Sequence, residues 1–326
     1  MQTLNLEDLA PLTLKQKEAR EMLADKNAKH FLLSGGSRSG KTTIIIRQII
    51  LRCLIAPGSS HAVFREHFNH LKTSIIAQTL PDVLKLWFPY LKIKLNRSEW
   101  RLDIFLGDYT SKVWFGGLDS KERTEKILGQ EHSTIYLNEC STISYASRNL
   151  ALTRLAEKSG LALKMFYDCN PPKKTHWTYK IFIKKEDPET GEGFARPESY
   201  RYMRINPKDN QENLPDDYIP DVLGALPKAE RDRFEFGKFG DNVKNPLWPE
   251  GSIKVIKRPD KTYEWNALKQ QIARIVIGVD PSGCDENEEV SNDQIGIVVV
   301  GKLHDGTALV LDDLTGYYST ANWGKL

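Results

Sequence analysis

Residues 34–43, SGGSRSGKTT, constrain this chain more than any other stretch. Gly35, Gly40, Lys41 and Thr42 occupy the fixed positions of the phosphate-loop pattern G-x-x-x-x-G-K-[ST]. Gly35, Gly36 and Gly40 permit the tight curl that turns successive backbone N–H groups toward one anion, and Ser37, Arg38 and Ser39 fill the turn. Lys41 brings a cation to β- and γ-phosphates, Thr42 offers a hydroxyl to Mg²⁺, and Thr43 continues the cradle. The flanks agree with this. Residues 30–33 read as a short apolar strand, and Ile44, Ile45, Ile46, Ile49 and Ile50 as a buried helix. A helix starting just after the loop adds its positive end to the anion site. An accidental glycine-rich turn would need neither flank. The stretch predicts an α/β, P-loop domain that binds a nucleoside triphosphate with Mg²⁺.

The rest of the composition sets outer bounds. The chain has 326 residues, enough for two domains, and its 40% hydrophobic and 27% charged residues are those of a globular protein. A net charge of +3 does not by itself demand a nucleic-acid partner. The first thirty residues are mixed and charged, unlike a leader. The longest apolar run, 42–55, is interrupted by Arg47, Gln48 and Arg52 and falls short of the ~18–20 residues of a membrane span. Cys53, Cys140, Cys169 and Cys284 lack C-x-x-C spacing, which suits reduced core thiols in a cytosolic setting.

Taken in order, residues 4–22 read as a helix with Thr13 as N-cap. Gln16 carries an amide able to donate and accept at an adenine edge, or is an ordinary helix glutamine. Residues 61–65 read as a strand, 71–86 as a helix, and 102–106 with 111–115 as a hairpin. His61, His67, His70 and His132 have no metal-ligand spacing. The apolar strand 135–137 ends in Asn138-Glu139, where many P-loop ATPases carry two acids. Asn138 keeps an oxygen ligand but not the charge, and Glu139 is left as the catalytic acid. Its place at a strand's carboxyl end favours function over a solvated glutamate. A third strand, 161–167, ends in Asp168-Cys169-Asn170-Pro171-Pro172. Asn170 is the candidate for sensing the γ-phosphate and coupling its loss to movement, the alternative being a plain Asn-Pro turn. Residues 173–180 interleave bases with aromatics, which suits either a phosphate backbone or a loop over a hydrophobic edge.

Together SGGSRSGKT, IYLNECS and CNPPKKTHWTYKIF, in this order, resemble the large subunit of tailed-phage terminases, the DNA-packaging motors. The resemblance implies a RecA-like ATPase of the catalytic-glutamate type, with the acid-bearing strand beside the P-loop strand. It implies Gln16 as adenine contact, Lys41 and Glu139 as catalytic residues, and Asn170 as coupling residue. Partners implied are double-stranded DNA, portal protein and procapsid, a terminase small subunit and further copies in a ring. The implied location is the host bacterial cytoplasm and, transiently, the procapsid portal; no membrane is involved. Related motors place an arginine just before the glycine that precedes the acid-bearing strand. Leu128 stands there, before Gly129, so Arg123, Lys126 or the in-loop Arg38 must substitute as any finger.

A boundary is expected between 245 and 272. Residues 275–280, IVIGVD, then open a second α/β unit, with strands at 294–300 and 308–311. An acid ending the first of three strands is how an RNase H-like nuclease begins, a fold that gathers carboxylates around Mg²⁺ or Mn²⁺. The resemblance implies Asp280 as first metal ligand, with Asp293 and Asp312 as further candidates, and reads 285–289 as a solvated acidic loop. The expected division is 1–210, P-loop ATPase domain; 211–271, helical subdomain and linker; 272–326, the start of the nuclease domain. That last part is short for a domain of ~100 residues or more, so no competent nuclease is expected from it. Two other functions fit the loop alone: a P-loop kinase, or a non-catalytic nucleotide-binding prophage remnant.

Overall fold

The computed structural model describes residues 10–119, 129–240, 262–280 and 295–316. The chain divides into two compact units, residues 1–246 and 247–326. The first is built on eight strands: β1 (His30–Ser34), β2 (Ser60–Arg65), β3 (Ile93–Asn96), β4 (Arg101–Leu106), β5 (Tyr109–Gly117), β6 (Thr134–Leu137), β7 (Lys164–Cys169) and β8 (Tyr200–Arg204). Their spatial order is β3-β4-β5-β2-β6-β7-β1-β8. The ladder from β5 to β8 is parallel throughout, and β3-β4-β5 extends it as an antiparallel meander.

This order corrects one expectation. The acid-bearing strand β6 does not adjoin β1, because β7 pairs with both and lies between them. All six β7 residues are buried, which suits a strand covered on both faces and paired on both edges. The ends of β6 and β7 therefore reach the P-loop side by side.

The central strands alternate between two cores, following the two-residue period of a pleated sheet. Phe31, Leu33, Val63, Tyr136 and Phe166 face one core, and Leu32, Ala62, Phe64, Ile135, Leu137, Met165 and Tyr167 the other. On the first face lie α1 (Leu14–Ala24) and α2 (Lys41–Ile55), followed by α3, which runs from Phe68–Leu71 through a π-helical turn Lys72–Thr79 into Leu80–Trp87. Ile44, Ile45, Ile49 and Ile50 of α2 are each at most 1% exposed. At ~1.5–3 kcal/mol per buried aliphatic side chain, these four contribute roughly 6–12 kcal/mol, so the helix that carries the P-loop is firmly seated.

On the second face lie α4 (Tyr145–Leu152) and α5, which comprises Trp177–Tyr179 and the π-helical Lys180–Lys184. Trp177 is buried and donates its indole N–H to the Ile143 carbonyl at 2.7 Å, and Ile181 and Phe182 join the same core. The Trp of the basic-aromatic stretch is thus a core anchor that ties α5 to the segment after β6.

Beyond β8 the chain makes a 3-10 segment Pro207–Asn213, a π-helical turn Tyr218–Leu223 and α6 (Lys228–Phe234). These return to the P-loop: Ser37 N–H donates to the Phe234 carbonyl (2.8 Å), Gly36 N–H to Asn206 Oδ1 (3.2 Å), and Asn210 Nδ2 to the Arg38 carbonyl (2.9 Å).

The second unit contains α7 (Thr262–Gln271) and an antiparallel sheet of β9 (Ile272–Asp280), β10 (Gly296–Leu303) and β11 (Ala308–Asp313), in the order β11-β10-β9. Asp280 pairs with Gly296, while Asp312 pairs with Val299, itself opposite Ile277. Because faces alternate along a strand, Asp312 points to the side of the sheet opposite Asp280. Asp313, opposite Val298, shares the Asp280 face. The expectation that Asp312 could join Asp280 at one metal is therefore corrected by register. Asp293 lies outside the described residues, as do Cys284 and residues 285–289.

Candidate functional site

The carboxyl ends of β1, β2, β6 and β7 open onto a cavity of about 560 Å³. Ser37, Arg38, Ser39, Gly40, Lys41, Thr42 and Thr43 form one wall; Glu139, Asp168 and Asn170 face them, and Arg65, Ser74, Gln78, Thr79 and Tyr218 complete the lining. Gly40 is the N-cap of α2, in the left-handed region (φ 79°, ψ 8°) and with no side-chain cap. The first amides of α2 have no intrahelical partner, and the helix dipole adds positive potential there. Lys41 is buried and its Nζ donates to the carbonyls of Gly36 (2.6 Å) and Gly35 (3.2 Å) and to Ser39 Oγ (2.9 Å). Burial lowers its pKa, opposed by the charges of Asp168 and Glu139. Arg38 is exposed at the lip and also adopts a positive φ of 55°.

Glu139 sits in the left-handed region at φ 49°, ψ 48°. For a non-glycine residue this costs ~1–2 kcal/mol, and such strain concentrates at functional positions. Here a bond from the next strand end holds it: the Glu139 N–H donates to Asp168 Oδ1 at 2.8 Å. The Glu139 pKa is raised, first by burial and then by the Asp168 charge, against Lys41, Arg65 and the Asn170 amide. A raised carboxylate exchanges protons closer to neutral pH than an ordinary glutamate does.

Asn138 is buried beside it, with Nδ2 donating to Asp168 Oδ1 and to the Tyr136 hydroxyl, both at 3.0 Å. Asp168 Oδ2 in turn accepts from the Thr42 hydroxyl at 2.7 Å. Asn170 lines the cavity as a neighbour of both carboxylates along the chain and across the strand ends.

Gln16 lies elsewhere in this arrangement. It is a helix-cap residue: its Oε1 accepts the Thr13 N–H (3.1 Å) while Thr13 Oγ1 accepts the Gln16 N–H (3.2 Å). Its Nε2 packs on the loop, 2.6 Å from where a Cβ on Gly40 would stand, and the residue does not line the cavity. Arg123, Lys126 and Leu128 lie outside the described residues.

Three contributors were not singled out from sequence. Arg65 reaches in from β2, donating to Ser74 Oγ (3.0 Å) and Asn138 Oδ1 (3.3 Å). The π-helical turn of α3 brings Ser74, Gln78 and Thr79 to the cavity, a common use of such turns. Asp168 is the third. The one signal that could have found it is an acid ending the strand next to one that ends in asparagine.

A profile of the family described as phage terminase large subunit matches residues 27–237, which hold the P-loop, Glu139, Asp168 and Asn170. The PBSX phage terminase large subunit of Bacillus subtilis (strain 168) is 25% identical over 221 residues, 64% of this chain and 49% of that protein. The chain thus spans about half the length of this curated relative. Among solved structures it is similar to the large terminase of a thermophilic bacteriophage (TM-score 0.61, 14% identity, 95% of this chain and 69% of that one). The ADP complex of that terminase gives a TM-score of 0.60 at 14% identity, over 94% and 69%. The large terminase ATPase domain of Thermus phage P74-26 gives 0.51 at 15% identity, over 68% of this chain and 93% of that domain. These structural likenesses speak for the fold, a RecA-like P-loop domain, and the profile match spans well over half the chain. The chain belongs to the phage terminase large subunit family.

Proposed function

We propose that this chain hydrolyses ATP to drive double-stranded DNA into a procapsid. The observation that carries this reading is Glu139, held in a strained backbone conformation across the cavity from the P-loop, with its pKa raised. A carboxylate so placed orients and deprotonates a water for attack on the γ-phosphate. A kinase would leave that space to a phosphate acceptor. In this reading the P-loop amides and Lys41 bind the phosphates, and Asn170, which lines the same cavity as Glu139, relays loss of the γ-phosphate to the chain that follows β7.

The oxygen donors at Thr42 and Asp168, 2.7 Å apart, fit a hard divalent ion such as Mg²⁺. When bound with the nucleotide, the ion would neutralise charge on the β- and γ-phosphates. The likeness to a terminase solved with ADP supports a nucleotide at this loop.

Membership of the family supports portal protein, a small subunit and further copies in a ring as partners in this reading, with work at the procapsid portal in the host cytoplasm. The described residues contain no helix long and apolar enough to cross a membrane. The three-stranded antiparallel sheet ending its first strand at Asp280 supports reading the second unit as the start of an RNase H-like nuclease domain. No cluster of three or more metal-ligating side chains occurs among the described residues.

The test is steady-state ATPase activity with and without duplex DNA. Turnover should rise with DNA and fall by about 10²–10⁴-fold in Glu139→Gln, with nucleotide binding retained. Unchanged turnover in that variant would refute the assignment.

A further inference from the structure

We propose that Asp168 supplies the anionic charge of the nucleotide–metal site that Asn138 does not carry: the acid stands one strand over, at the end of β7 instead of β6. This rests on the reading of the P-loop cavity as an ATP site. In P-loop enzymes the metal is shared between the loop's Ser/Thr hydroxyl and an acid at a neighbouring strand end. Here the Thr42 hydroxyl meets an acid, and that acid is Asp168.

Asn138 is turned away from such a role. Its Oδ1 accepts from the Arg65 guanidinium at 3.3 Å, and its Nδ2 donates to Asp168 and Tyr136. The opposite amide orientation would set oxygen against carboxylate and N–H against guanidinium, so the partners decide the assignment. An amide oxygen facing a guanidinium is a poor cation ligand.

Asp168 has the converse environment. It is 1% exposed yet lines the cavity. The donors around it, the Thr42 hydroxyl, the Asn138 amide and the Glu139 N–H, are all neutral. They orient the carboxylate without pairing it, and Lys41, the cation its charge acts on, donates instead to the Gly35 and Gly36 carbonyls and Ser39. Sheet order makes the substitution possible. Leu137 pairs with Tyr167, so Asn138 and Asp168 are side by side at the next position, and Asp168 itself pairs with Leu33 of β1. A carboxylate at the end of β7 is therefore one strand nearer the P-loop than one at the end of β6. Asn138 acts as a positioning residue that holds Asp168 Oδ1 while Oδ2 faces Thr42.

The experiment compares equilibrium binding of a fluorescent ADP in EDTA and in Mg²⁺ for the wild type, Asp168→Asn, and the exchange Asn138→Asp/Asp168→Asn. The wild type should bind more tightly with Mg²⁺. With each variant's gain taken relative to its own affinity in EDTA, Asp168→Asn should lose about tenfold or more of the Mg²⁺ gain. The exchange restores one acid and one amide at the site, and it should recover most of that gain. Should Asp168→Asn fail to fold, the exchange variant alone decides. A full Mg²⁺ gain in Asp168→Asn, a folded exchange variant without recovery, or a wild type without any gain would overturn the proposal. Wild-type protein that binds no nucleotide in either buffer would instead bring down the ATP-site reading itself.

Discussion

Gly36→Ala tests how the P-loop is held. A Cβ on Gly36 would stand 2.3 Å from the Phe234 carbonyl oxygen and 2.5 Å from Pro207 Cδ. One obstacle is backbone and the other a ring, so neither can swing aside. Relief requires the loop and the 207–234 segment to separate, and that separation stretches the bonds from Ser37 N–H to Phe234 (2.8 Å) and from Gly36 N–H to Asn206 (3.2 Å). Two hydrogen bonds at a net ~0.5–1.5 kcal/mol each, with overpacking at ~1–3 kcal/mol, put the cost at about 2–6 kcal/mol. That is a large share of the stability of a typical domain. Urea unfolding should show the loss, and amide exchange should show α6 opening first. Fluorescent-ADP affinity should fall with it, because the loop amides are displaced. Gly193→Ala is the control: nothing lies within 4 Å of its added Cβ, so the change should stay within ~0.5 kcal/mol. A Gly36→Ala variant within ~1 kcal/mol of wild type would refute the docked arrangement of α6 on the loop.

Two further expectations concern pH. Burial depresses the His132 pKa from 6.5 to about 4, so the folded protein holds it neutral while the unfolded chain takes up a proton near pH 6.5. Its contribution is complete above that pH and is lost as pH falls toward 4; between pH 6.5 and 5 the loss is about 2 kcal/mol. Urea unfolding of wild type and His132→Asn across this range should show a shallower slope in the variant, and equal slopes would contradict the buried neutral imidazole. Arg65 lowers the Glu139 pKa. Arg65→Gln should therefore move the acid limb of the ATPase pH profile to higher pH, and an unmoved limb would separate Arg65 from Glu139.

Much of the site is legible in sequence because its chemistry is local. The P-loop needs consecutive residues, so SGGSRSGKTT announces both the turn and the helix that follows it. Glu139 and Asn170 were reachable because a buried strand that stops at a polar residue delivers it to the ligand edge of a parallel sheet. Thr13 as N-cap follows from side-chain chemistry within one turn.

Where the residues alone left alternatives open, a partner remote in sequence bears on them. Gln16 keeps its oxygen on the Thr13 N–H within its own helix turn but lays its amide nitrogen against Gly40 of the P-loop. Of the two readings of residues 173–180, the Ile143 carbonyl, 34 residues from Trp177, favours the loop over a hydrophobic edge by taking the indole N–H. Asp312 shares its strand with Asp313, and only the pairing with Val299 shows which of them faces away from Asp280.

The sequence by itself determined the strand–loop–helix of the phosphate-loop pattern and the strand-end residues that meet it, since both are set by neighbours within a few residues. Tertiary structure alone decided that β7 lies between β6 and β1. Strand order depends on parallel pairings between segments more than a hundred residues apart, such as β1 with β7, and no local pattern encodes them. Through that order an unremarked Asp168 comes to sit on the Thr42 hydroxyl.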